Sequence, residues 1–100
     1  MKTLVVEDSR ASMQIITHYL ERMGITPVPA ATGTEAVDLF LSERPDMVLL
    51  DIVLPDIDGF EVARRLRQIE QPGDWTPIIF LTSMTKDEDL EAGIAAGGDD

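Results

Sequence analysis

The chain has 100 residues, 44% of them hydrophobic, which suffices for one buried core and one domain. Its formal net charge of -11, with only 8 Lys and Arg residues, argues against direct nucleic-acid contact by this segment. There is no Cys, hence no disulfide framework and no thiol nucleophile, and no apolar run reaches signal-peptide or membrane length. We therefore expect a cytoplasmic protein that does not contact a membrane.

Short apolar runs alternate with amphipathic helical patterns along the chain. The patterns predict strands at residues 4–6, 25–29, 47–51 and 78–81, and helices at residues 10–23, 32–44, 59–70 and 86–96. This alternation with tight connections predicts an α/β fold: a doubly wound parallel sheet with right-handed crossovers and helices on both faces.

The first helix and second strand carry clear local signals. Ser9 is the predicted N-cap, Gly24 ends the helix, and an apolar stripe runs between them through Ile16, Leu20 and Met23. The following strand contains prolines, which cannot donate to a ladder, so we place it at an edge of the sheet.

The third strand is the most informative stretch. Its apolar run, residues 47–50, predicts a strand buried on both faces, and it ends in the carboxylate of Asp51. Turn-forming residues then prevent the strand from continuing: Pro55, Asp56, Asp58 and Gly59. Asp51 is therefore held on the last rigid residue before a loop.

Polar residues also follow the neighbouring strands. Glu7 and Asp8 come directly after the first strand, and the hydroxyls of Thr82 and Ser83 come after the fourth. If the strands are parallel neighbours, these groups converge with Asp51 at the carboxyl edge of the sheet, where open α/β sheets bind ligands.

Such a carboxylate cluster suggests a specific chemistry. Carboxylates a few ångströms apart repel by several kcal/mol per pair at an effective dielectric of about 20, and a divalent cation removes that repulsion. Hard oxygen ligands suit Mg²⁺ or Mn²⁺, which also bind phosphate oxygens. A carboxylate beside such a cation can act as a nucleophile on phosphorus, and Thr82 could donate to a phosphoryl oxygen.

These residues resemble the receiver domain of two-component response regulators, of the chemotaxis-regulator type. The match comprises the acid pair Glu7-Asp8, the block from Asp51 through Pro55-Asp56 to Asp58-Gly59, and Thr82. The resemblance extends over all 100 residues.

The resemblance implies a set of site residues. Asp51 would be the phosphoacceptor and Thr82 the switch hydroxyl. Mg²⁺, or Mn²⁺ in its place, would be bound by Glu7, Asp8, Asp51 and the backbone carbonyl of Val53, with Asp8 more direct than Glu7. Ser83 departs mildly from the family, in which a small residue commonly follows the switch hydroxyl.

The resemblance also implies a fold and a domain boundary. The fold would be a flavodoxin-like (βα) repeat with strand order 2-1-3-4 and then a fifth strand, which carries a Lys that contacts the phosphoryl oxygen and an aromatic switch residue. The chain stops at Asp100, before either. We therefore expect residues 1–100 to be a receiver domain that lacks its C-terminal strand and helix.

The implied function is that of a phosphoprotein switch rather than an enzyme. A sensor histidine kinase or phosphotransfer protein would phosphorylate Asp51, and the aspartyl phosphate would switch a partner or a downstream output domain. The domain would assist its own phosphorylation and dephosphorylation without turning over an external substrate. A C-terminal output domain and a homodimer are left open.

Two other classes use a similar sheet. Haloacid-dehalogenase-like phosphatases also have an aspartyl nucleophile, but they place a second Asp two residues later, where this chain has Val53. A flavodoxin-like cofactor binder would need a phosphate loop after the first strand, and Glu7-Asp8 would repel a phosphate there.

Several residues have simpler interpretations. Asp56 and Asp58 are interpreted as turn residues, and His18 and the cluster Arg64, Arg65 and Arg67 as solvated helix residues. Trp75 is interpreted as a packing lid, with an interface role left open. As a hypothesis, Ile15 and Tyr19, which flank the core stripe of the first helix near Asp8, belong to the surface on which the kinase docks.

Overall fold

The structure is a computed structural model and describes residues 1–81. These residues form four strands and three helices in strict alternation. The strands are β1 Lys2–Val6, β2 Thr26–Ala30, β3 Met47–Asp51 and β4 Ile78–Leu81, and the helices are α1 Arg10–Arg22, α2 Gly33–Glu43 and α3 Gly59–Ile69. The fourth predicted helix, residues 86–96, lies outside the described residues.

The strands form one parallel sheet in the order β2-β1-β3-β4, which confirms the predicted α/β class and strand order. Val6 is in register with Ala30 on one side and with Leu50 on the other, and Asp51 is in register with Leu81. All four strands therefore end at one carboxyl edge.

The helices cover both faces of β1. Leu4 and Val6 belong to the main apolar cluster, to which α2 contributes Phe40 and α3 contributes Leu66. Val5 points to the opposite face by the period-two alternation of a strand, and it is fully buried there. No helix among the described residues is long and apolar enough to cross a membrane.

The prediction that β3 is buried on both faces is wrong for one of the two faces. Val48 and Leu50 are fully buried, but Met47 and Leu49 on the alternate face are only partly buried. Among residues 1–81, α1 packs mainly on β1 and β2, which leaves this face of β3 less covered.

The ends of α1 and β2 differ slightly from the prediction. Ser9 is the N-cap, as predicted, and its hydroxyl accepts from the Ser12 amide at 3.3 Å. At the other end, the Ile25 amide donates to the Leu20 carbonyl at 2.9 Å, so Ile25 belongs to the helix cap and β2 begins one residue later. Met23 lies at that cap and is 65% exposed, so it does not extend the buried stripe.

β2 is an edge strand, as its prolines predicted. Pro27 and Pro29 alternate with Thr26, Val28 and Ala30 along the strand, and the Thr26 amide donates to the Met1 carbonyl at 2.9 Å. Because the prolines occupy the alternate positions, their missing N–H groups fall on the side of the strand that has no neighbour among residues 1–81.

Candidate functional site

The carboxyl edge of the sheet brings three acidic side chains together. Glu7 and Asp8 directly follow β1, and Asp51 is the last residue of the adjacent strand β3. One carboxylate oxygen from each residue lies within 4.8 Å of the other two. The predicted convergence of these three carboxylates is therefore present in the fold.

The three carboxylates differ in exposure. Glu7 is only 9% exposed, Asp51 is partly buried, and Asp8 is exposed. Burial raises the pKa of the Glu7 carboxyl, and the nearby charges of Asp51 and Asp8 raise it further. A hydrogen bond from the Ser9 amide to Glu7 Oε1, at 3.0 Å, acts in the opposite direction.

The cluster has no basic partner in the described part of the chain. Among residues 1–81, none of the three carboxylates forms a salt bridge with Lys or Arg. A set of three hard oxygen donors with unbalanced negative charge fits a small divalent cation, which would remove the mutual repulsion. The donor chemistry is therefore compatible with Mg²⁺ and equally with Mn²⁺.

The loop after Asp51 packs closely against the end of its own strand. The Val53 amide donates to Asp51 Oδ1 at 3.4 Å, and the Gly59 amide donates to the Ile52 carbonyl at 2.7 Å. A Cβ at Gly59 would overlap the carbonyl oxygen of Asp51 and come within 2.8 Å of Ile52 Cα. Only glycine allows this approach, so the return of the chain at Gly59 holds the backbone on which Asp51 stands.

The predicted turn residues Asp56 and Asp58 make specific contacts. Asp58 is the N-cap of α3, and its Oδ1 accepts from the Glu61 amide at 2.8 Å. The carboxylate of Asp56 accepts from the amides of Gly33 and Thr34, at the start of α2. Neither role was predicted from the sequence. The spacing of Asp58 and Glu61 is a visible capping signal, whereas nothing local reveals a partner 23 residues away from Asp56.

The remaining site predictions have mixed outcomes. Val53 lies in the loop beside Asp51 and is 69% exposed. Thr82 and Ser83 lie outside the described residues. Trp75 is not a packing lid, because it is 64% exposed and its ring stacks against the guanidinium of Arg67, 5.2 Å from the ring centroid.

The arginine cluster of α3 is divided between two environments. Arg64 and Arg65 are exposed and pair with Glu61, as expected of solvated helix residues. Arg67 is less exposed, pairs with Glu70 at 2.9 Å, and lies on the side of α3 that faces Trp75. His18 is exposed, as predicted.

Fold and site together define the class of protein. It is a doubly wound α/β domain that holds an aspartate at the end of a central strand, beside an acid pair, at the ligand-binding edge of the sheet. The sequence matches the response regulator receiver domain over residues 3–100. The chain belongs to this family.

Relatives of similar sequence agree with this assignment. The chain is 40% identical over 97 residues to the transcriptional regulatory protein AfsQ1 of Streptomyces coelicolor, covering 97% of this chain and 41% of that protein. It is 41% identical over 99 residues to the transcriptional regulatory protein YxdJ of Bacillus subtilis, covering 99% of this chain and 42% of that protein. The chain thus spans about two fifths of the length of these relatives.

Solved structures show the same fold. The chemotaxis protein CheY4 of Vibrio cholerae superimposes with a TM-score of 0.91 at 34% identity, covering 97% of this chain and 80% of that chain. The BeF3-activated receiver domain of RstA from Klebsiella pneumoniae gives a TM-score of 0.90 at 34% identity, covering 98% of this chain and 80% of that chain.

Proposed function

We propose that this chain is the phosphoacceptor switch of a two-component system and that Asp51 is the residue phosphorylated. The observation that carries the proposal is the cluster itself, in which Asp51 ends a central strand and its carboxylate lies within 4.8 Å of both Glu7 and Asp8. An Asp51 oxygen attacks the phosphorus of a phosphohistidine on a sensor kinase or phosphotransfer protein. The P–N bond breaks, and the imidazole leaves with the electron pair and takes up a proton.

The proposed cofactor is Mg²⁺, with Mn²⁺ as a substitute. Its ligands would be Asp8, Asp51 and the backbone carbonyl of Val53, with Glu7 acting less directly. When bound, the cation neutralises charge on the transferring group. Support comes from the all-oxygen donor set and from the absence of a salt bridge to it among residues 1–81.

Residues of the chain position the nucleophile and respond to the phosphoryl group. The end of β3 and the close approach of Gly59 hold the Asp51 carboxylate in place, which limits the conformational entropy lost in reaching the phosphorus. Thr82 is proposed as the switch hydroxyl that follows the phosphoryl group. Attack of water on the acyl phosphate resets the switch, so the chain turns over no external substrate.

The output is proposed by analogy with the relatives. AfsQ1 and YxdJ are named transcriptional regulatory proteins. We therefore propose that phosphorylation of Asp51 controls a partner or a downstream output domain, in the cytoplasm. A homodimer and a fifth strand that completes the receiver domain stay predictions.

The central test is intact mass after incubation with Mg²⁺ and acetyl phosphate. We expect one added phosphoryl group on the wild-type chain and none on Asp51→Asn. The matched control is Asp46→Asn, which removes an aspartate just before the start of the same strand and should be labelled like wild type. Equal labelling of Asp51→Asn would contradict the assignment of Asp51. A chain that binds Mg²⁺ but is never labelled, even when it is extended through the predicted fifth strand, would instead indicate a phosphorylation-independent interaction module.

The proposed kinase-docking surface is on α1. Ile15 and Tyr19 lie one helical turn apart and are 58% and 59% exposed, and with Gln14 and His18 they line a shallow depression. Exposed apolar side chains of this kind are typical of interface anchors.

A charge placed in this surface tests the docking. Ile15→Asp should slow transfer from the kinase about tenfold or more, the effect of removing one good anchor, while labelling by acetyl phosphate is unchanged. Met23→Asp, on an equally exposed residue just beyond the end of α1, is the control and should transfer normally. Unchanged transfer to Ile15→Asp would eliminate this surface.

A further inference from the structure

The carboxylate of Asp56 joins two elements that are distant in sequence. Its Oδ1 accepts from the Gly33 amide at 2.8 Å, and its Oδ2 accepts from the Thr34 amide at 2.9 Å and from the Thr34 hydroxyl at 2.6 Å. The donors belong to the first turn of α2, whereas Asp56 lies in the loop between β3 and α3. One side chain thus ties the loop after Asp51 to a helix on the face of the sheet.

The hydrogen bonds to Asp56 do more than cap the start of α2. α2 already has a local N-cap, Thr32, whose hydroxyl accepts from the Glu35 amide at 3.1 Å and whose carbonyl accepts from the Ala36 amide at 3.1 Å. Asp56 accepts from the two earlier amides, which Thr32 does not reach. The two caps therefore act on the same helix end, but only Asp56 connects it to the loop.

Electrostatics and packing strengthen the connection. The N-terminus of a helix carries partial positive charge, which favours the Asp56 carboxylate. Hydrogen bonds from the Thr34 hydroxyl and from the Thr34 and Gly33 amides hold the pKa of this carboxyl well below its ordinary value, so it stays ionised. Next to it, the Ile57 side chain lies so close to Gly33 that a Cβ there would overlap it.

The two ends of the loop are also tied to each other. Asp58 caps α3, and the Gly59 amide donates to the Ile52 carbonyl at 2.7 Å. Between these anchors the loop passes Val53, whose amide donates to Asp51 Oδ1. The position of the Val53 backbone therefore depends on attachments on both sides of it, and among these the Asp56 carboxylate is the one that accepts hydrogen bonds from α2.

We infer that Asp56 is a positioning residue for the cation site, because it holds the loop that carries Val53 against the first turn of α2. This inference rests on the proposed function, since it concerns the affinity of the cluster of Glu7, Asp8 and Asp51 for Mg²⁺. Residues that orient ligands of a metal typically change its affinity 10–100-fold when they are removed.

The experiment compares two helix caps that share one helix end. Mg²⁺ alone is titrated by calorimetry into the full chain and into two variants, Asp56→Ala and Thr32→Ala. Asp56→Ala should weaken Mg²⁺ binding about tenfold or more, whereas Thr32→Ala should stay within about twofold of wild type even if it lowers the melting temperature as much. Acetyl phosphate labelling of Asp56→Ala should recover at saturating Mg²⁺, because the nucleophile itself is intact.

Two results would overturn the inference while leaving the proposed function in place. One is an Mg²⁺ affinity of Asp56→Ala equal to that of wild type. The other is equal weakening by both variants, which would mean that any damage to the start of α2 has the same effect. A wild-type chain that binds no Mg²⁺ would overturn the proposed function and this inference together.

A milder substitution keeps the test decisive if Asp56→Ala does not fold. Thr34→Val removes only the hydroxyl donor. The hydrogen bonds from the Gly33 and Thr34 backbone amides to Asp56 stay in place. It should weaken Mg²⁺ binding by a smaller factor than Asp56→Asn, and both should speed amide hydrogen exchange at Val53. Wild-type exchange and affinity in both variants would reject the positioning role.

Discussion

The two edges of the sheet use charge in opposite ways. At the amino edge, carboxylates have partners: the Lys2 amide donates to Asp46 Oδ2 at 2.7 Å, and Arg67 pairs with Glu70 at 2.9 Å. At the carboxyl edge, Glu7, Asp8 and Asp51 face one another, and none of them has a salt bridge among residues 1–81. Charges at the first edge stabilise the fold, and charges at the second form the candidate cation site.

The two edges also need glycine for different reasons. Gly24, in the turn that leads into the amino end of β2, has φ of 77°, and a Cβ there would meet nothing within 4 Å. Gly59, near the carboxyl edge, has an ordinary φ, but a Cβ there would overlap the backbone of Asp51. The amino edge needs glycine for a backbone conformation, whereas the carboxyl edge needs it for close packing around the site.

The largest effect should come from alanine at Gly59. The new Cβ meets backbone atoms that cannot rotate away, so we expect a loss of about 3 kcal/mol or more in the free energy of unfolding. Gly24→Ala should cost only about 1–2 kcal/mol, the penalty of a left-handed conformation. Urea denaturation of both variants measures the difference, and equal losses would contradict the packing argument.

The next effect concerns a carboxylate at the amino edge. Glu70 Oε1 accepts from the Thr76 amide at 2.7 Å and from Arg67 at 2.9 Å, and its side chain is 10% exposed. Glu70→Ala leaves these donors without this acceptor and should destabilise the fold by about 2 kcal/mol.

The control for Glu70 is the exposed pair at the same edge. Lys2 Nζ lies 4.0 Å from Glu43 Oε2, with side chains 39% and 43% exposed. Glu43→Ala should therefore change the free energy of unfolding by no more than about 0.5 kcal/mol. A thermal melt of both variants at one pH separates the two cases, and a change at Glu43 as large as that at Glu70 would show that burial does not set the difference.

A smaller effect than that of Glu70→Ala should come from Asp8, and it should have the opposite sign. Without divalent cations, Asp8→Asn relieves repulsion in the cluster and should stabilise the chain by about 1 kcal/mol, an estimate for an exposed carboxylate near the water limit of Coulomb's law. With Mg²⁺ the wild type should become the more stable of the two chains. A ligand that binds the native state at 100 times its Kd adds about 2.7 kcal/mol to the free energy of unfolding of the wild type, and less to that of the variant.

The measurement is the melting temperature with EDTA and with Mg²⁺. A variant that is less stable than wild type in EDTA would contradict the repulsion argument. A variant that gains as much from Mg²⁺ as wild type would show that Asp8 is not a ligand.

Most of the element pattern could be predicted because it depends on local chemistry. Ser9 as a helix cap and the edge position of the proline-containing strand were both confirmed. The errors arose where a neighbour decided the outcome. Ile25 was assigned to β2 but caps α1, and Leu49 was expected to be fully buried but is only partly buried, because α1 packs mainly on β1 and β2.

The features of the site were likewise predictable where local chemistry decides them and unpredictable where tertiary packing does. That Glu7, Asp8 and Asp51 converge was predictable, because each directly follows or ends a short apolar run and parallel strands align their carboxyl ends. The contact between Asp56 and the start of α2 was not predictable, since 23 residues separate the carboxylate from the Gly33 amide. Whether two such groups meet depends on how loop and helix pack.

The sequence by itself determined the alternation of strands and helices, the residues that end each strand, and a strongly acidic chain with carboxylates at one edge of a sheet. These features follow from side-chain periodicity, turn chemistry and composition, which act over a few residues. Only the tertiary structure decided which face of β3 is buried, how Glu7 becomes a buried carboxylate with a raised pKa, and which helix the loop after Asp51 binds. Those features depend on distances between residues far apart in the chain, which packing alone brings together.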